Sequence, residues 1–143
     1  MNVLIIDGQG GALGKLLVKA VAERLPECSI RAVGTNSAAT QTMLKGGPAK
    51  GATGENAVIV ACREADVILG PIGIVMADAL LGEVTPAMAA AVARSRARRI
   101  LIPMDQCNTA VAGLAPGNVA GRIESALALL EKFNPERGFS QWH

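Results

Sequence analysis

The 143-residue sequence predicts an α/β fold with three layers, α/β/α, around a parallel sheet of about five strands. Short apolar runs alternate with longer segments whose apolar residues recur at helical spacing, which is typical of repeated strand–helix units. Half of the residues are hydrophobic and only 18% are charged, so the chain can bury a core. The length corresponds to one domain, predicted at residues 1–133, with residues 134–143 as a C-terminal tail.

The first two strands and helices are indicated by apolar runs and the turns between them. Residues 3–6 form a continuous apolar run, which is typical of a strand buried on both faces. Apolar residues then recur at helical spacing over 13–25, and Pro26 lies just beyond the end of that helix. Residues 29–33 predict the second strand, and residues 38–45 predict the second helix.

The middle of the chain is predicted to contain a loop, a helix, a strand and another helix. Residues 49–54 are small and predict a loop. Residues 55–64 predict a helix, although the apolar run near their start also fits a strand. The third strand is predicted at 66–69, and an apolar helix at 74–81.

The last third of the domain begins with a strong helix signal. A threonine at the N-cap and a proline at the first helical position predict a helix over 85–96. Residues 99–102 predict the fourth strand and residues 110–112 a short fifth strand. An amphipathic helix over 116–133 completes the predicted domain.

Composition excludes several classes of function. The net charge is +2, there is no tyrosine and only three aromatic residues occur, so no nucleic-acid partner is predicted. Cys28, Cys62 and Cys107 lack metal-ligand spacing and are expected to be reduced thiols, and no metal site is predicted. There is no signal-peptide pattern and no apolar tract of the ~20 residues that a membrane helix needs. A soluble, cytoplasmic protein without a membrane partner is therefore expected.

The polar and glycine-rich loops are predicted to meet at one edge of the sheet. Right-handed crossovers place the carboxyl ends of parallel strands along the same edge. The loops at Gly8, Gly34, Gly70 and Asp105 should therefore lie together. In open α/β sheets this edge is where ligands bind.

The glycine-rich loop after the first strand is the strongest functional motif. The segment GQGGALG, residues 8–14, follows a strand and opens a helix. Without side chains, backbone N–H groups at the positive end of the helix dipole can approach a pyrophosphate. Over residues 2–34 the chain resembles the Rossmann NAD(P)-binding superfamily, which implies NAD or NADP as the cofactor; a tight turn without ligand is the alternative. The cofactor-binding residues implied in this loop are Gly8, Gln9, Gly10, Gly11 and Gly14.

Two features around the glycine loop depart from that superfamily. The acidic residue that binds the ribose hydroxyls, ~20 residues after the loop, is absent, and Thr35, Asn36 and Ser37 stand there. Their donors at a helix start predict either a second anion site or an ordinary helix cap. Asp7 directly precedes the loop. Its carboxylate would accept loop hydrogen bonds, or act as a general base or magnesium ligand.

Further candidates lie in the later loops of the same edge. Gly70 and Pro71 would bring backbone close to a bound ring or ribose, or simply form a strand-to-helix turn. Asp105 and Asn108 are candidates for contacting a ligand hydroxyl, for catalysis or for capping a turn. Glu55 begins a predicted helix, either as part of its cap or as part of a lid over the site.

A second, thinner resemblance spans residues 2–113. The residues that carry it are Asp7, Gly34, Thr35, Ile102, Pro103 and Asn108, which are similar to motifs of the methylglyoxal synthase-like fold. This resemblance implies a phosphate-ester lyase or isomerase, with Asp7 or Glu55 as the base and Thr35 with Ser37 holding the phosphate. The sequence departs from that family at Ile6, which replaces a histidine.

Taken end to end, the chain resembles an uncharacterised bacterial family, a domain of unknown function of short Rossmann-like proteins. Residues 5–11, 52–56 and 70–73 carry this resemblance, which implies the fold but no activity. The leading prediction is a module that binds a nucleotide or another small phosphorylated ligand, with NAD(P) first. Whether it is an enzyme stays open, because the body of the chain offers neither a tyrosine nor a histidine for hydride transfer.

The apolar surface of the middle segment suggests further hypotheses. Met76, Leu80 and Leu81 lie near an alanine-rich helix over 87–93, and this surface serves core packing or a homodimer contact. A non-enzymatic protein-interaction module is the third alternative for the function of the chain.

Overall fold

The computed structural model describes residues 1–104 and 109–137. Within these ranges the strands are β1 (Asn2–Asp7), β2 (Ser29–Gly34), β3 (Lys50–Thr53), β4 (Val67–Pro71) and β5 (Arg98–Ile102). The α-helices in the same ranges are α1 (Ala12–Arg24), α2 (Ser37–Leu44), α3 (Glu55–Glu64), α4 (Pro86–Arg94) and α5 (Val119–Phe133). Short 3₁₀ turns occur at Ile72–Val75 and Pro135–Arg137.

The sheet is parallel throughout, with the strand order β3-β2-β1-β4-β5. The central strand β1 pairs with β2 from Asn2 opposite Ser29 to Asp7 opposite Gly34. On its other side β1 pairs with β4. After β1 the chain adds β2 and β3 on one side of it, and then returns to add β4 and β5 on the other side. The strand order therefore changes direction between β1 and β4, as in Rossmann-like folds.

Two cores flank the sheet and make it a three-layer structure. Alternate residues of β1 point to opposite faces, as strand geometry requires. Val3 and Ile5 pack in the core formed with α1 and α5. Leu4 and Ile6 pack in the core formed with α3 and α4. This confirms the predicted α/β/α class with a five-stranded parallel sheet.

The position of the fifth strand was predicted wrongly. Residues 110–112 form no strand, and the edge strand is instead β3, in a segment that the sequence predicts as a loop. Lys50–Thr53 is mostly exposed and lacks a continuous apolar run. Its conformation depends on hydrogen bonding to β2, with Thr53 opposite Gly34, and not on an apolar pattern.

The predicted helix over 74–81 is also wrong. A 3₁₀ turn at Ile72–Val75 leads into a run of turns, which we call the turn segment (residues 76–84). Asp78, Leu80 and Leu81 have φ angles of 68°, 54° and 57°, which a right-handed α-helix cannot contain. The run is apolar because Leu80, only 6% exposed, packs into the core, and not because it forms a helix.

The remaining helix predictions are confirmed with small shifts at their ends. Thr85 caps α4 by accepting a hydrogen bond from the Met88 N–H at 3.1 Å, as predicted. The helix α5 begins later than predicted, because Asn118 is its N-cap. No helix of the described residues is long and apolar enough to cross a membrane.

The chain stays in contact with the domain for a few residues after α5. Asn134 is fully buried and donates a hydrogen bond to Glu27 at 3.0 Å. Arg137 forms an ion pair with the same glutamate at 3.1 Å. Residues 138–143 lie outside the described residues, so the predicted boundary at 133 and the tail stay predictions.

Candidate functional site

The ends of β1 and β2 bring two sequence-predicted loops together. Asp7 and Gly34 are paired in register as the last residues of their strands. The Thr35 N–H donates a hydrogen bond to the Asp7 carbonyl at 3.0 Å. The glycine loop after β1 and the polar residues after β2 therefore begin side by side at the carboxyl edge.

Two glycines of the loop are required because the loop contacts the β2–α2 region closely. Gly11 has a φ of +75°, and a Cβ there would lie 2.6 Å from the Ala39 carbonyl oxygen. A Cβ on Gly8 would lie 2.7 Å from the Thr35 hydroxyl. Both positions are thus explained by packing within the protein, without a ligand.

The other two glycines differ from each other. A Cβ on Gly14 would lie 2.8 Å from the Asp7 Cβ and from the Met43 Cγ, so this glycine lets α1 approach β1 and α2. Gly10 is exposed, and a Cβ there would meet no atom of the described residues within 4 Å. The spacing of Gly8, Gly11 and Gly14 is therefore set by packing, whereas no packing contact among the described residues requires a glycine at position 10.

Asp7 supports the glycine loop through hydrogen bonds to its backbone. Its carboxylate is 6% exposed and accepts hydrogen bonds from the Gly8 N–H at 2.8 Å and the Gly14 N–H at 2.7 Å. Burial raises the pKa of the Asp7 carboxyl because desolvation outweighs these two bonds, and the nearby Glu83 carboxylate adds to the increase. This geometry favours the loop-supporting role of Asp7. The described residues contain no group of three acidic, histidine or cysteine side chains that could hold a metal ion.

The first turn of α1 presents free donors next to Gly10. Among the described residues, the N–H groups of Gly10, Ala12 and Leu13 have no hydrogen-bond acceptor. Gly10 and Ala12 are exposed, and Leu13 is half-buried. They lie at the positive end of a 13-residue helix, where an anion is stabilised.

Glu83 joins the two loops, and sequence reasoning missed it. Its Oε1 atom accepts hydrogen bonds from the Gln9 N–H at 2.9 Å, the Thr35 hydroxyl at 2.6 Å and the Asn36 side-chain amide at 2.7 Å. Partial burial acts to raise the pKa of Glu83, but the bonds from Thr35, Gln9 and Asn36 together lower it. No local motif marks this residue, because 74 positions separate it from Gln9.

The polar residues after β2 divide between capping and bridging. The Asn36 Oδ1 accepts from the Ala39 N–H at 2.8 Å and caps α2, while its amide also donates to the Gln9 carbonyl at 3.0 Å. Ser37 begins α2 and is exposed. The predicted helix cap is present, and the donors of Thr35 and Asn36 are directed to an acidic oxygen of the protein itself.

Gly70 and Pro71 belong to the end of β4. Pro71 pairs with Ile102 and is buried. A Cβ on Gly70 would collide with the Ile6 carbonyl oxygen, so the glycine is required for the close approach of β4 to β1. These contacts support the structural alternative for both residues.

Of the remaining candidates, the structure describes Glu55, which bonds to Thr85 and not to Asp7. Glu55 is exposed at the start of α3 and accepts a hydrogen bond from the Thr85 hydroxyl at 2.7 Å, which links α3 to the cap of α4. Asp105 and Asn108 lie outside the described residues, so their predicted roles stay predictions.

Two cavities lie away from this edge. One of about 480 Å³ is at the amino ends of the strands, next to Asn2, Ser29 and Lys50. Another of about 450 Å³ is a groove between α3 and α4, next to Arg63, Arg94 and Arg96. The glycine loop lines neither of these two cavities.

The fold and the carboxyl edge together define a Rossmann-like α/β protein with a glycine-rich first turn. The chain belongs to the family described as Domain of unknown function (DUF3842), whose model matches residues 2–134. This confirms the resemblance to an uncharacterised family, while the match does not extend to the NAD(P)-binding superfamily.

Comparison with individual proteins adds little to the family assignment. No curated protein matches the sequence. Among solved structures, a crystal structure of a dodecameric FMN-dependent UbiX-like decarboxylase from Escherichia coli O157:H7 is similar. The identity is 19%, the match covers 91% of this chain and 76% of that chain, and the TM-score is 0.43. Similarity at this level indicates neither a ligand nor an activity for this chain.

Proposed function

We propose that this protein binds a nucleotide or another small phosphorylated ligand at the carboxyl edge, with a phosphate against the first turn of α1. The observation that carries the proposal is the set of N–H groups without an acceptor among the described residues, at exposed Gly10 and Ala12 and at half-buried Leu13. Such groups at a helix start stabilise an anion through hydrogen bonds and the helix dipole.

A dinucleotide, NAD or NADP, is the specific ligand proposed. The strand order changes direction between β1 and β4, and ligands of open α/β sheets bind at such a point. The glycine loop lies at this point and leads directly into α1. A module that binds the dinucleotide without catalysing its reduction fits the absence of tyrosine and of internal histidine in the sequence.

The Gly10→Ala variant tests the phosphate site directly. Its methyl group would meet no atom of the described residues within 4 Å, so the stability of the fold should not change. The same methyl group would stand where a phosphate approaches the backbone, so ligand affinity should fall by about tenfold or more, equivalent to ~1.4 kcal/mol. Isothermal titration calorimetry with NAD⁺, NADP⁺, ATP, FMN and a triose phosphate measures this effect.

Two further glycine variants serve as controls. Gly117 is exposed and its Cβ would meet only the Ala115 carbonyl oxygen, at 4.0 Å, so Gly117→Ala adds the same methyl group outside the glycine loop and should leave both stability and affinity unchanged. Gly11→Ala should instead destabilise the fold, because its φ is +75° and its Cβ would strike α2. The proposal is wrong if no ligand of the panel binds, or if Gly10→Ala binds as tightly as the wild type.

A phosphate-ester lyase or isomerase is the second candidate, favoured by one observation. Asp7 is a buried carboxyl whose pKa is raised, which is a common property of catalytic acids and bases. Both of its oxygens accept backbone N–H groups, so Asp7 would have to exchange one bond before taking a substrate proton. Nucleotide binding needs no such rearrangement and is therefore better supported.

A further inference from the structure

We infer that Glu83 recognises the ribose of the bound nucleotide and makes the site selective for an unmodified vicinal diol, hence for NAD⁺ over NADP⁺. This inference rests on the proposed function, because it concerns the same ligand and the same edge. It assigns a role to a residue of the turn segment, which the sequence analysis did not connect with the glycine loop.

The Glu83 carboxylate lies beside the residues that follow β2. Dinucleotide-binding folds place an acidic residue just after the second strand, where it accepts hydrogen bonds from the ribose hydroxyls. That position holds Thr35 and Asn36 here, neither of which is acidic. Glu83 brings a carboxylate within 2.6 Å of the Thr35 hydroxyl and 2.7 Å of the Asn36 amide. The turn segment after β4 thus supplies the charge that is missing after β2.

One of the two Glu83 carboxylate oxygens stays available for a ligand. All three donors, from Gln9, Thr35 and Asn36, bond to Oε1. Among the described residues, the Oε2 atom of Glu83 has no hydrogen-bond partner. A carboxylate oxygen can accept at least two hydrogen bonds, so Oε2 has the capacity for a diol.

The Glu83 carboxylate is held in place before any ligand binds. The Asp78 N–H donates to the Val84 carbonyl at 2.7 Å, and the Val84 N–H donates to the Ala79 carbonyl at 3.1 Å. These bonds close the turn segment on both sides of Glu83, whose own N–H donates to Leu80 at 3.2 Å. An acceptor that is already positioned does not lose conformational entropy on binding, which strengthens recognition.

The phosphate subsite at Gly10 and the sugar subsite at Glu83 lie close to each other along the glycine loop. The Gln9 N–H bonds to Glu83, and the next N–H along the chain, that of Gly10, is free among the described residues. Successive Cα atoms are ~3.8 Å apart. A phosphate at Gly10 and a sugar hydroxyl at Glu83 are therefore separated by a distance that one nucleotide can span.

Charge determines which ribose is accepted. A 2′-phosphate would lie against the Glu83 carboxylate, with Asp7 close beneath it. Among the described residues, no arginine or lysine forms an ion pair with Glu83 that would offset this repulsion. Like charges at short range disfavour binding, so NADP⁺ should bind more weakly than NAD⁺.

The test compares NAD⁺ and NADP⁺ by calorimetry on the wild type, on Glu83→Gln and on Glu23→Gln. Glu23 is an exposed glutamate near the far end of α1, so its variant is the charge-matched control. The wild type and the control should prefer NAD⁺ by about tenfold or more. Glu83→Gln should reduce this preference to within a few-fold, because NAD⁺ loses a charged acceptor for its diol while NADP⁺ is relieved of the repulsion.

A ligand series on the wild type gives an answer even where Glu83→Gln does not fold. ADP should bind about tenfold more tightly than 2′-deoxy-ADP, and AMP about tenfold more tightly than adenosine 2′,5′-bisphosphate, since each pair differs only at the 2′ position. Equal affinities in this series would overturn the inference while leaving the proposed phosphate site intact. An increase in affinity of Glu83→Gln for every ligand would also overturn it, since Glu83 would then be a competing internal anion. Absence of binding by any nucleotide would instead refute the proposed function itself.

Discussion

At the scale of single residues, Asp7 is the support on which the glycine loop depends. Its carboxylate satisfies two backbone N–H groups, one on either side of the loop, in a buried place. Buried donors without an acceptor cost ~1–3 kcal/mol each. The position at the end of β1, which looks catalytic in the sequence, is therefore explained by the local need for acceptors.

The Asp7→Asn variant should lose stability. An asparagine offers one acceptor oxygen and would turn an amide donor toward the second N–H, so the free energy of unfolding should fall by ~1–3 kcal/mol. Urea denaturation measures this change. A variant as stable as the wild type, but lacking turnover of a phosphate ester, would contradict the structural role and restore Asp7 as a general base.

The charge of Glu83 should make stability depend on pH. Its pKa is lowered in the folded state, so its contribution is present above the ordinary glutamate value of ~4.3. That contribution is lost as the pH falls through the lowered folded-state pKa. The stability difference between the wild type and Glu83→Gln should therefore be constant near neutral pH and shrink below about pH 4.

The contribution of Asp7 to stability depends on pH in the opposite direction, and it must be separated from the contribution of Glu83. Its pKa is raised, so its contribution is fully present below the ordinary aspartate value of ~3.9 and is lost as the pH rises through the folded-state pKa. Because the Glu83 charge contributes to the raised pKa of Asp7, this component is smaller in Glu83→Gln and cancels only in part. Its remainder changes the difference above the ordinary aspartate pKa and in the opposite direction, so the two components are distinguished by their pH ranges. A difference between wild type and Glu83→Gln that does not change with pH would show that the Glu83 bonds contribute nothing.

At the scale of elements, the turn segment is the part of the fold that departs most from regular structure. Within four positions it contains three residues other than glycine that have a positive φ, namely Asp78, Leu80 and Leu81. Leu80 is retained by burial, whereas Leu81 is 94% exposed. The left-handed conformation costs an L-residue ~1–2 kcal/mol, and nothing in the packing of Leu81 offsets it.

Leu81→Gly should therefore leave stability unchanged or raise it by up to ~1 kcal/mol. Glycine adopts positive φ without steric cost, and the leucine side chain buries almost no area that would be lost. The matched control is Leu16→Gly in α1, where the side chain is 46% exposed and glycine should cost at least ~1 kcal/mol. Chemical denaturation that shows equal losses for both variants would contradict this account of the segment.

The elements that could be predicted from the sequence are those whose signals are local. The apolar run of β1, the glycine turn and the spacing of α1 are contiguous, and the Thr85 cap lies next to the helix that it starts. β3 could not be predicted, because it is defined by pairing with β2 and not by its own composition. The turn segment was mistaken for a helix because apolar content alone does not determine φ.

The candidate site was predictable only in part for the same reason. Its glycine loop and the residues after β2 are local motifs, and topology places them side by side as expected. Glu83 reaches them from 47 positions beyond Asn36, so only the folded chain reveals it. The packing roles of Gly11 and Gly14 depend on contacts with α2, which no spacing rule contains.

At the scale of the whole molecule, the two faces of the sheet provide the core, and the proposed ligand site lies at the carboxyl edge. The apolar surface considered for a homodimer is partly used inside the domain, since Leu80 and Met88 are buried and Leu81 is exposed. The homodimer stays a prediction. Light scattering decides it, because a monomer has a mass of 14.7 kDa.

The central claim is that a nucleotide phosphate binds at the first turn of α1. Backbone amide resonances of ¹⁵N-labelled protein, followed during titration with NAD⁺, test it most directly. We expect the largest shifts at Gly10, Ala12 and Leu13, since these N–H groups lack partners among the described residues. Shifts confined to the cavity at the amino ends of the strands or to the groove between α3 and α4, or none at all, would contradict the claim.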